Sequence, residues 1–327
     1  MVRVPAQPSP TRRRGRILRF GAALAVLVAL AGYLAMQYAG GGKRAPRCLV
    51  VSGDGDGGTY EFTAEQAVNA ATVSAVGTAR GMPERAVTIA LATALQESGL
   101  RNINHGDRDS IGLFQQRPSQ GWGTEKQIMD PVYTSEKFYE HLAEVPGYSR
   151  LPLTVAAQRV QRSGFPQAYA KHEPDAALLA AALTGRSPGV FSCETRKATR
   201  PGDPAKVRKA LRRDFGTDIL PRTEAAGAVA SDSSGSDDDE ERRTVSVPVA
   251  DATAAVAEST RGRRGWELAH WAVAHAAELR IERVSYAGRD WKAAETEAEW
   301  SEAGDGAAGG ASAGDGADEA VRIVTAR

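Results

Sequence analysis

The stretch that decides the fold, residues Ala94–Pro118, reads ALQESGLRNINHGDRDSIGLFQQRP. It starts inside a predicted helix, because Pro83 suits a first helical turn and Gly99 is a typical helix stop. Apolar side chains recur between these two residues at helical spacing, which indicates that one face of the helix packs on a core. Glu97 therefore projects from the last turn of a packed helix, and a loop or small hairpin follows it through Gln115.

Three short motifs follow one another around this helix end. A Glu-Ser pair occupies 97–98, Gly-Asp-Arg occupies 106–108, and Gly-Leu-Phe-Gln occupies 112–115. In this order the chain resembles the lysozyme-like superfamily, in particular the goose-type lysozymes and the soluble lytic transglycosylases. The Gly-Asp-Arg run is closer to the goose-type pattern. With weaker matches further on, the resemblance covers roughly residues 60–195.

The resemblance implies a glycosidase in which Glu97 is the catalytic general acid. A glycosidic oxygen is a poor leaving group unless it is protonated, so the acid has to keep its proton near neutral pH, which burial among apolar side chains favours. The match to the goose-type motif makes Asp107 the best second carboxylate, with Asp109 in reserve. A hydrolase uses such a group to position water, whereas a lytic transglycosylase uses the C6 hydroxyl of its substrate; the sequence leaves both open.

Five further residues are expected to contact the substrate or to support the acid. The predicted set is Ser98, Gln115, Gln116, Trp122 and Tyr169. The glutamines offer amide groups to the N-acetyl and hydroxyl groups of a sugar, and the serine is placed to orient the acid. Tyr169 matches the late tyrosines that reach the cleft in the transglycosylases, and Trp122 can stack on a sugar face. For both aromatic residues, a place in the core or at the rim is the alternative.

The N-terminus predicts a membrane anchor. Residues 1–16 form a basic tail, and residues 17–39 contain an uncharged apolar run long enough to span a hydrocarbon core as one helix. A cleaved signal peptide is the competing interpretation, although its apolar core is usually shorter. Under either interpretation the rest of the chain is exported, and the anchor would place it at the outer face of the cell membrane.

The two cysteines of the chain, Cys48 and Cys193, flank the lysozyme-like segment. In an oxidising exterior an isolated pair is more often a disulfide than a redox or metal site, so we predict a bond between them. Two cysteines and five histidines offer no convincing ligand set, and neither a metal nor another cofactor is predicted. The net charge of +1 gives no reason to expect nucleic acid as a partner.

The predicted fold class is a mainly α, lysozyme-like domain of the α+β type, preceded by one transmembrane helix and followed by a linker and a small α+β module. The predicted segments are a cytoplasmic basic tail (1–16), a transmembrane signal anchor (17–39), a flexible riser (40–60), the lysozyme-like domain (61–195), a basic helix segment (196–222), a disordered acidic linker (223–243) and the C-terminal module (244–327). Within the basic segment, Pro204–Phe215 predicts a basic amphipathic helix.

The C-terminal module weakly resembles exported domains related to the zinc-dependent D-alanyl-D-alanine carboxypeptidases. The similarity lies in a helix, a strand and the run Gly-Arg-Asp-Trp at 288–291. That family holds zinc with an early His/Asp pair and a late Asp-His-x-His motif. The matching strand here, Val321–Val324, contains no histidine. The module, if related, has therefore lost its metal and serves binding or spacing.

These features predict a membrane-anchored, extracytoplasmic glycosidase that acts on the glycan strands of peptidoglycan. The bond cleaved would be the β-1,4 linkage between N-acetylmuramic acid and N-acetylglucosamine. The alternative is a non-catalytic wall-binding or scaffold protein that keeps the cleft to hold a glycan. A transport protein is excluded because a single predicted span does not form a transport path. A metal-handling protein is excluded because the sequence offers no cluster of metal ligands. The sequence identifies no protein partner.

Overall fold

A computed structural model describes residues 24, 26–32, 46–221, 236–249, 258–295, 299–303 and 320–327. The chain divides into two units, Met1–Ala45 and Pro46–Arg327, and the second is one compact unit. About half of the described residues are helical, and the strands form two sheets in which all pairings are antiparallel.

The predicted fold class is wrong in its transmembrane helix. No helix in the described part of the chain is long and apolar enough to cross a membrane. Of the predicted span, the structure describes residues 24 and 26–32, which are helical, and these are fewer than the roughly 20 residues that a spanning helix needs. The rest of the predicted span, like the basic tail, lies outside the described residues.

The first sheet has the strand order β2-β1-β3 and joins residues near 50 and 60 to residues near 190. Its strands are β1 (Arg47–Val51), β2 (Thr59–Thr63) and β3 (Phe191–Cys193). Cys48 lies opposite Cys193 in the pairing of β1 with β3, and the two form a disulfide bond, which confirms the predicted pairing. The prediction of a flexible riser over 40–60 is wrong for β1, because Cys48 and Val50 of this strand are buried in the core.

Helices build most of the compact unit. The first, α1 (Ala64–Ala79), begins with a capping box between Thr63 and Gln66, and the second, α2 (Glu84–Ser98), ends at Gly99 in the left-handed region, φ 65°. The following helices are α3 (Glu125–Ile128), α4 (Pro131–Ala143), α5 (Leu153–Gln161) and α6 (Glu173–Leu183), with 3₁₀ turns at Pro118–Gln120, Tyr148–Arg150 and Pro166–His172.

Helices α1 and α2 lie at the centre of this helical part. Residues 86–95 of α2 are buried on every side, as expected for a helix enclosed by others. Gly77 of α1 allows α4 to approach closely, because a Cβ atom there would lie 2.6 Å from the hydroxyl oxygen of Tyr139. That hydroxyl donates to the carbonyl oxygen of Val73 at 3.0 Å. Small side chains in α1 therefore set how closely these helices pack.

The C-terminal part adds helices and a second sheet. The helices are α7 (Pro204–Phe215), α8 (Ser236–Arg243), α9 (Glu258–Ala274) and α10 (Ala276–Leu279), with a 3₁₀ turn at Thr217–Ile219. The strands are β4 (Thr244–Pro248), β5 (Ile281–Tyr286), β6 (Arg289–Lys292), β7 (Ser301–Glu302) and β8 (Ala320–Thr325), in the order β4-β8-β5-β6-β7.

The predicted disordered linker at 223–243 is wrong for its last part. Helix α8 forms there, and its Glu240 pairs with Arg283 of β5 while Arg243 donates to the carbonyl oxygen of Thr325 in β8. These contacts hold a strongly charged helix against the sheet. The earlier part of the predicted linker lies outside the described residues.

A buried carboxylate joins the C-terminal part to the helical part. Asp214, at the end of α7, is fully buried, and its Oδ2 accepts hydrogen bonds from Thr72 of α1 at 3.1 Å and from the Trp271 indole of α9 at 2.8 Å. Arg213 forms an ion pair with its other oxygen at 2.6 Å. Three helices that are far apart in sequence therefore meet at one polar contact inside the compact unit.

We expect the double variant Cys48→Ser/Cys193→Ser to unfold at a lower guanidinium concentration than the wild-type protein. The disulfide joins residues 145 positions apart, and loss of such a cross-link typically costs about 2–5 kcal/mol. Tryptophan fluorescence without reductant measures the unfolding midpoint. Wild-type protein treated with a thiol reductant is the control and should lose the same stability, whereas equal midpoints for the variant and the untreated protein would contradict this expectation.

Candidate active site

A cleft of about 880 Å³ opens beside the end of α2. Its walls come from the loop after α2, the end of α4, the end of α5 and the segment that follows α5. The predicted site residues that line it are Glu97, Asp107, Gln115, Gln116 and Trp122. Ser98 and Tyr169 are buried behind the wall. The structure therefore gathers residues of the deciding stretch and of later segments around a single cavity.

The Glu97 carboxyl group is the most chemically distinctive group in the cleft. It is mostly shielded from water, and this burial raises its pKa above the ordinary value, while hydrogen bonds from Tyr169 and Gln161 partly oppose the shift. Among the described residues no cation lies within 4 Å of it, so no ion pair holds the charged form. Its place in the last turn of α2 also disfavours a negative charge. Glu97 therefore holds its proton to higher pH than an ordinary glutamate.

Tyr169 lies directly behind this carboxyl group. The tyrosine is fully buried in the 3₁₀ turn Pro166–His172, and its hydroxyl donates to Glu97 Oε1 at 2.6 Å. Burial raises the pKa of Tyr169 far above its usual range, and the neighbouring Glu97 adds to this shift, so the phenol stays protonated. It contacts the acid and does not face the cavity. Its position suits stabilising the carboxylate left after Glu97 has given up a proton.

The Gly-Leu-Phe-Gln run forms the turn of a tight hairpin. The backbones of Ile111 and Gln116 exchange two hydrogen bonds of 3.0 Å at its base. Leu113 and Phe114 are buried at its tip, and the Phe114 ring stacks on Phe138 of α4 at 4.7 Å between centroids. The apolar residues of the motif therefore fill the core beside the Glu97 carboxyl group.

Ser98 ties this hairpin to α2. Its hydroxyl donates to the carbonyl oxygen of Leu113 at 2.8 Å and also lies 3.1 Å from the carbonyl oxygen of Ala94. The side chain is buried, and its hydrogen bonds go to backbone groups. Ser98 therefore orients the acid indirectly, by fixing the wall next to it.

The two glutamines of the hairpin have different surroundings. Gln116 is buried, and its amide both accepts from Thr134 Oγ1 at 2.7 Å and donates to the Thr134 carbonyl oxygen at 3.3 Å. It therefore fastens the hairpin to α4. Gln115 lies in the cleft wall, where its amide makes two long contacts of 3.3 Å with the carbonyl oxygens of His105 and Gly112. Gln115 is the better placed of the two to bind a ligand.

The remaining carboxylates and the rim tryptophan have surroundings different from those of Glu97. Asp107 has a 93% exposed side chain, 4.0 Å from Arg108 Nε. Asp109 accepts from Ser119 and pairs with Arg117 at 2.7 Å; these hydrogen bonds hold its pKa well below the ordinary value, so it stays ionised. Trp122 is half-buried beside His141, with 4.4 Å between ring centroids.

Sequence reasoning missed two residues of the site. Gln161, the last residue of α5, donates from Nε2 to the carbonyl oxygen of Phe114 at 2.6 Å and also hydrogen-bonds Glu97. Phe165 lines the cleft with 79% of its side chain exposed, which is unusual for so large an apolar group. Gln161 belongs to no local motif, Phe165 was given no role at the site, and only the fold brings α5 and the segment after it to the acid.

Comparisons with known proteins give no family for this chain. No protein-family model matches its sequence, and a search of curated proteins finds no significant relative. The function therefore has to be argued from the site itself. The cleft offers one shielded carboxyl group, exposed amide and guanidinium donors, and aromatic side chains at its edge, which together suit a polar substrate that needs a proton donor.

The variant Tyr169→Phe should raise the pKa of Glu97 further, because it removes a hydrogen bond that stabilises the carboxylate. An NMR titration of carboxyl-labelled glutamate measures the pKa directly. Tyr133→Phe is the matched control: the Tyr133 hydroxyl donates to the carbonyl oxygen of Trp122 at 3.2 Å, so its loss should leave Glu97 unchanged. A Glu97 pKa that stays constant or falls in Tyr169→Phe would count against this arrangement.

Proposed function

We propose that this protein is an extracytoplasmic peptidoglycan glycosidase of the lysozyme or lytic transglycosylase type. It would cleave the β-1,4 bond between N-acetylmuramic acid and N-acetylglucosamine, with Glu97 as general acid. The observation that supports this most is the state of Glu97, a mostly buried carboxyl group with a raised pKa at an open cleft. The disulfide between Cys48 and Cys193 supports an oxidising, extracytoplasmic location.

The proposed reaction begins with proton transfer. Glu97 gives its proton to the bridging oxygen, the bond from that oxygen to the anomeric carbon of N-acetylmuramic acid breaks, and the released chain leaves as an alcohol. Positive charge then develops on the anomeric carbon and its ring oxygen. The hydrogen bond from Tyr169 stabilises the carboxylate that remains, so it lowers the cost of the transfer.

The second step needs a nucleophile at the anomeric carbon. In a hydrolase a second carboxylate activates water, whereas in a lytic transglycosylase the C6 hydroxyl of the same sugar attacks, gives its proton to the carboxylate that the general acid has become, and yields a 1,6-anhydro end. Asp107 is almost fully exposed and close to Arg108, and Glu144 in the same cleft is exposed too. Since neither group is held to position a water molecule, the geometry favours the intramolecular attack.

The cleft also suits a glycan in size and lining. Its volume of about 880 Å³ is within the range of pockets that hold several sugar-sized groups. Phe165 and Trp122 offer apolar ring faces for sugar rings at the cleft edge, and Gln115 offers an amide for an N-acetyl or hydroxyl group. Ser98, Gln116 and Tyr169, by contrast, support the wall and the acid from behind.

A non-catalytic glycan-binding protein is the second candidate. One observation favours it: the hydrogen bonds from Tyr169 and Gln161 stabilise the charged form of Glu97, and a carboxylate held in this way could accept hydrogen bonds from sugar hydroxyl groups. The two candidates differ in what the carboxyl group has to supply. A catalyst needs the proton, whereas a binder needs only oxygen acceptors and shape.

The variant Glu97→Gln should lose peptidoglycan cleavage by about a hundredfold or more, because a general acid typically contributes 10²–10⁴-fold. Release of soluble muropeptides measures activity, and sedimentation with insoluble peptidoglycan measures binding, which should persist. Glu125→Gln, in the exposed first turn of α3 outside the cleft, is the matched control and should keep full activity. A Glu97→Gln protein that cleaves at the wild-type rate would refute the catalytic proposal, and a wild-type protein that binds without cleaving would favour the second candidate.

Mass analysis of the products tests the second step. The intramolecular route should give muropeptides with anhydro ends, each lighter by one water than the corresponding product with a reducing end. Asp107→Asn should then change the rate little, since the exposed carboxylate takes no part. Reducing ends together with a large rate loss in Asp107→Asn would assign hydrolysis with Asp107 as the base.

A further inference from the structure

Helix α7 carries a concentration of positive charge that the cleft does not use. Its sequence PAKVRKALRRDF contains five basic residues and one acidic residue, which gives the helix a formal charge of +4. The helix separates apolar from basic side chains. Its buried apolar residues, which face the protein, are Val207, Ala210, Leu211 and Phe215. Its basic residues, three exposed and two half-buried, are Lys206, Arg208, Lys209, Arg212 and Arg213.

Most of these cations have no acidic partner. Arg213 pairs with Asp214, but within the described ranges no carboxylate lies within 4 Å of the other four basic side chains. The one acidic residue of the helix, Asp214, is buried and bound by Thr72 and Trp271 from the other side. Four of the five cations of this helix therefore have no ion-pair partner in the described part of the protein.

Two of the arginines have donors that are shielded from solvent and unsatisfied. Arg208 Nε and Arg212 Nη2 are inaccessible to water and lack a hydrogen-bond acceptor among the described residues. Arg208 and Arg212 are four positions apart, so they lie one above the other on the same side of the helix. A buried donor without an acceptor is costly, and two arginines on the same side of the helix that lack acceptors among the described residues point to an anionic group that binds between them.

We propose that the basic face of α7 binds a linear phosphodiester polymer, with Arg208 and Arg212 holding one phosphate and Lys206 and Lys209 attracting its neighbours. Guanidinium groups match the tetrahedral oxygens of a phosphate with paired hydrogen bonds, whereas lysines act as mobile point charges. The 12 residues of the helix extend about 18 Å, enough to follow several repeats of such a polymer.

The structure favours a polymer without bases over nucleic acid or a membrane. Single-stranded nucleic acids bind through aromatic side chains that stack on bases, and the one aromatic residue of α7, Phe215, is buried. An amphipathic helix that enters a bilayer inserts its apolar face, but that face of α7 is packed against α1 and the rest of the core. A polyol phosphate chain outside the cytoplasm requires neither feature.

The test uses the full chain and immobilised poly(glycerol phosphate), with affinity measured by biolayer interferometry from 50 to 300 mM salt. Wild-type protein should bind with an affinity that falls steeply with salt. Arg208→Gln/Arg212→Gln should weaken binding roughly tenfold or more at low salt. Arg208→Lys/Arg212→Lys keeps the charge but loses the paired geometry, so it should fall between the two. The control Arg150→Gln/Arg322→Gln removes two exposed arginines elsewhere and should bind as the wild type does.

Several outcomes would overturn the proposal. Absence of wild-type binding at 50 mM salt refutes it, and so does an equal loss in the Arg150/Arg322 control, which would show attraction by net charge alone. Tighter binding to single-stranded DNA of equal phosphate number, or to phosphatidylglycerol vesicles, would assign the face to nucleic acid or to a membrane. Unfolding midpoints check each variant, and if the glutamine pair fails to fold, the lysine pair decides.

Discussion

A carboxyl group that is shielded from water without a neighbouring cation is the constraint on which the candidate site depends. Isolated charges are costly to bury, so the surroundings of such a group favour its protonated, neutral form. Helix α2 provides this by being enclosed over residues 86–95, which leaves Glu97 at the edge of the core. Ser98 then fixes the hairpin against the helix, and Gln161 joins the hairpin to α5. The elements around the cleft are thus connected through the residues next to the acid.

Asp214, a carboxylate buried elsewhere in the compact unit, has very different surroundings from Glu97. Asp214 has a paired arginine and two further donors, Thr72 and Trp271, and it lies where three helices meet. A carboxylate with that many partners is held in one position, which suits a structural junction. Glu97 has a single short hydrogen bond from Tyr169, no cation among the described residues, and an open cavity on its other side. The surroundings of Asp214 therefore suit a structural contact, whereas those of Glu97 suit proton transfer to a ligand in the cleft.

The sequence predicts what short-range rules control. The stop at Gly99, the basic helix Pro204–Phe215 and the disulfide of two isolated cysteines each follow from local residues or from an inventory, and the structure confirms them. Gln161 was missed, because its contact with Glu97 joins residues 64 positions apart and depends on how α5 packs. Strand β1 was misassigned, since a five-residue strand next to Gly-Asp repeats resembles a linker until β3 pairs with it.

The cleft and the basic face of α7 place two different demands on one compact unit. A catalyst gains little from binding its substrate tightly before the reaction, because only interactions that strengthen in the transition state increase the rate. If the protein has the proposed activity, attraction of helix α7 to a second polymer would raise its local concentration near the substrate without altering the cleft. The exposed and loosely bonded lining of the cleft, including Gln115 and Asp107, is consistent with weak substrate affinity there. Retention and catalysis would then be served by different residues.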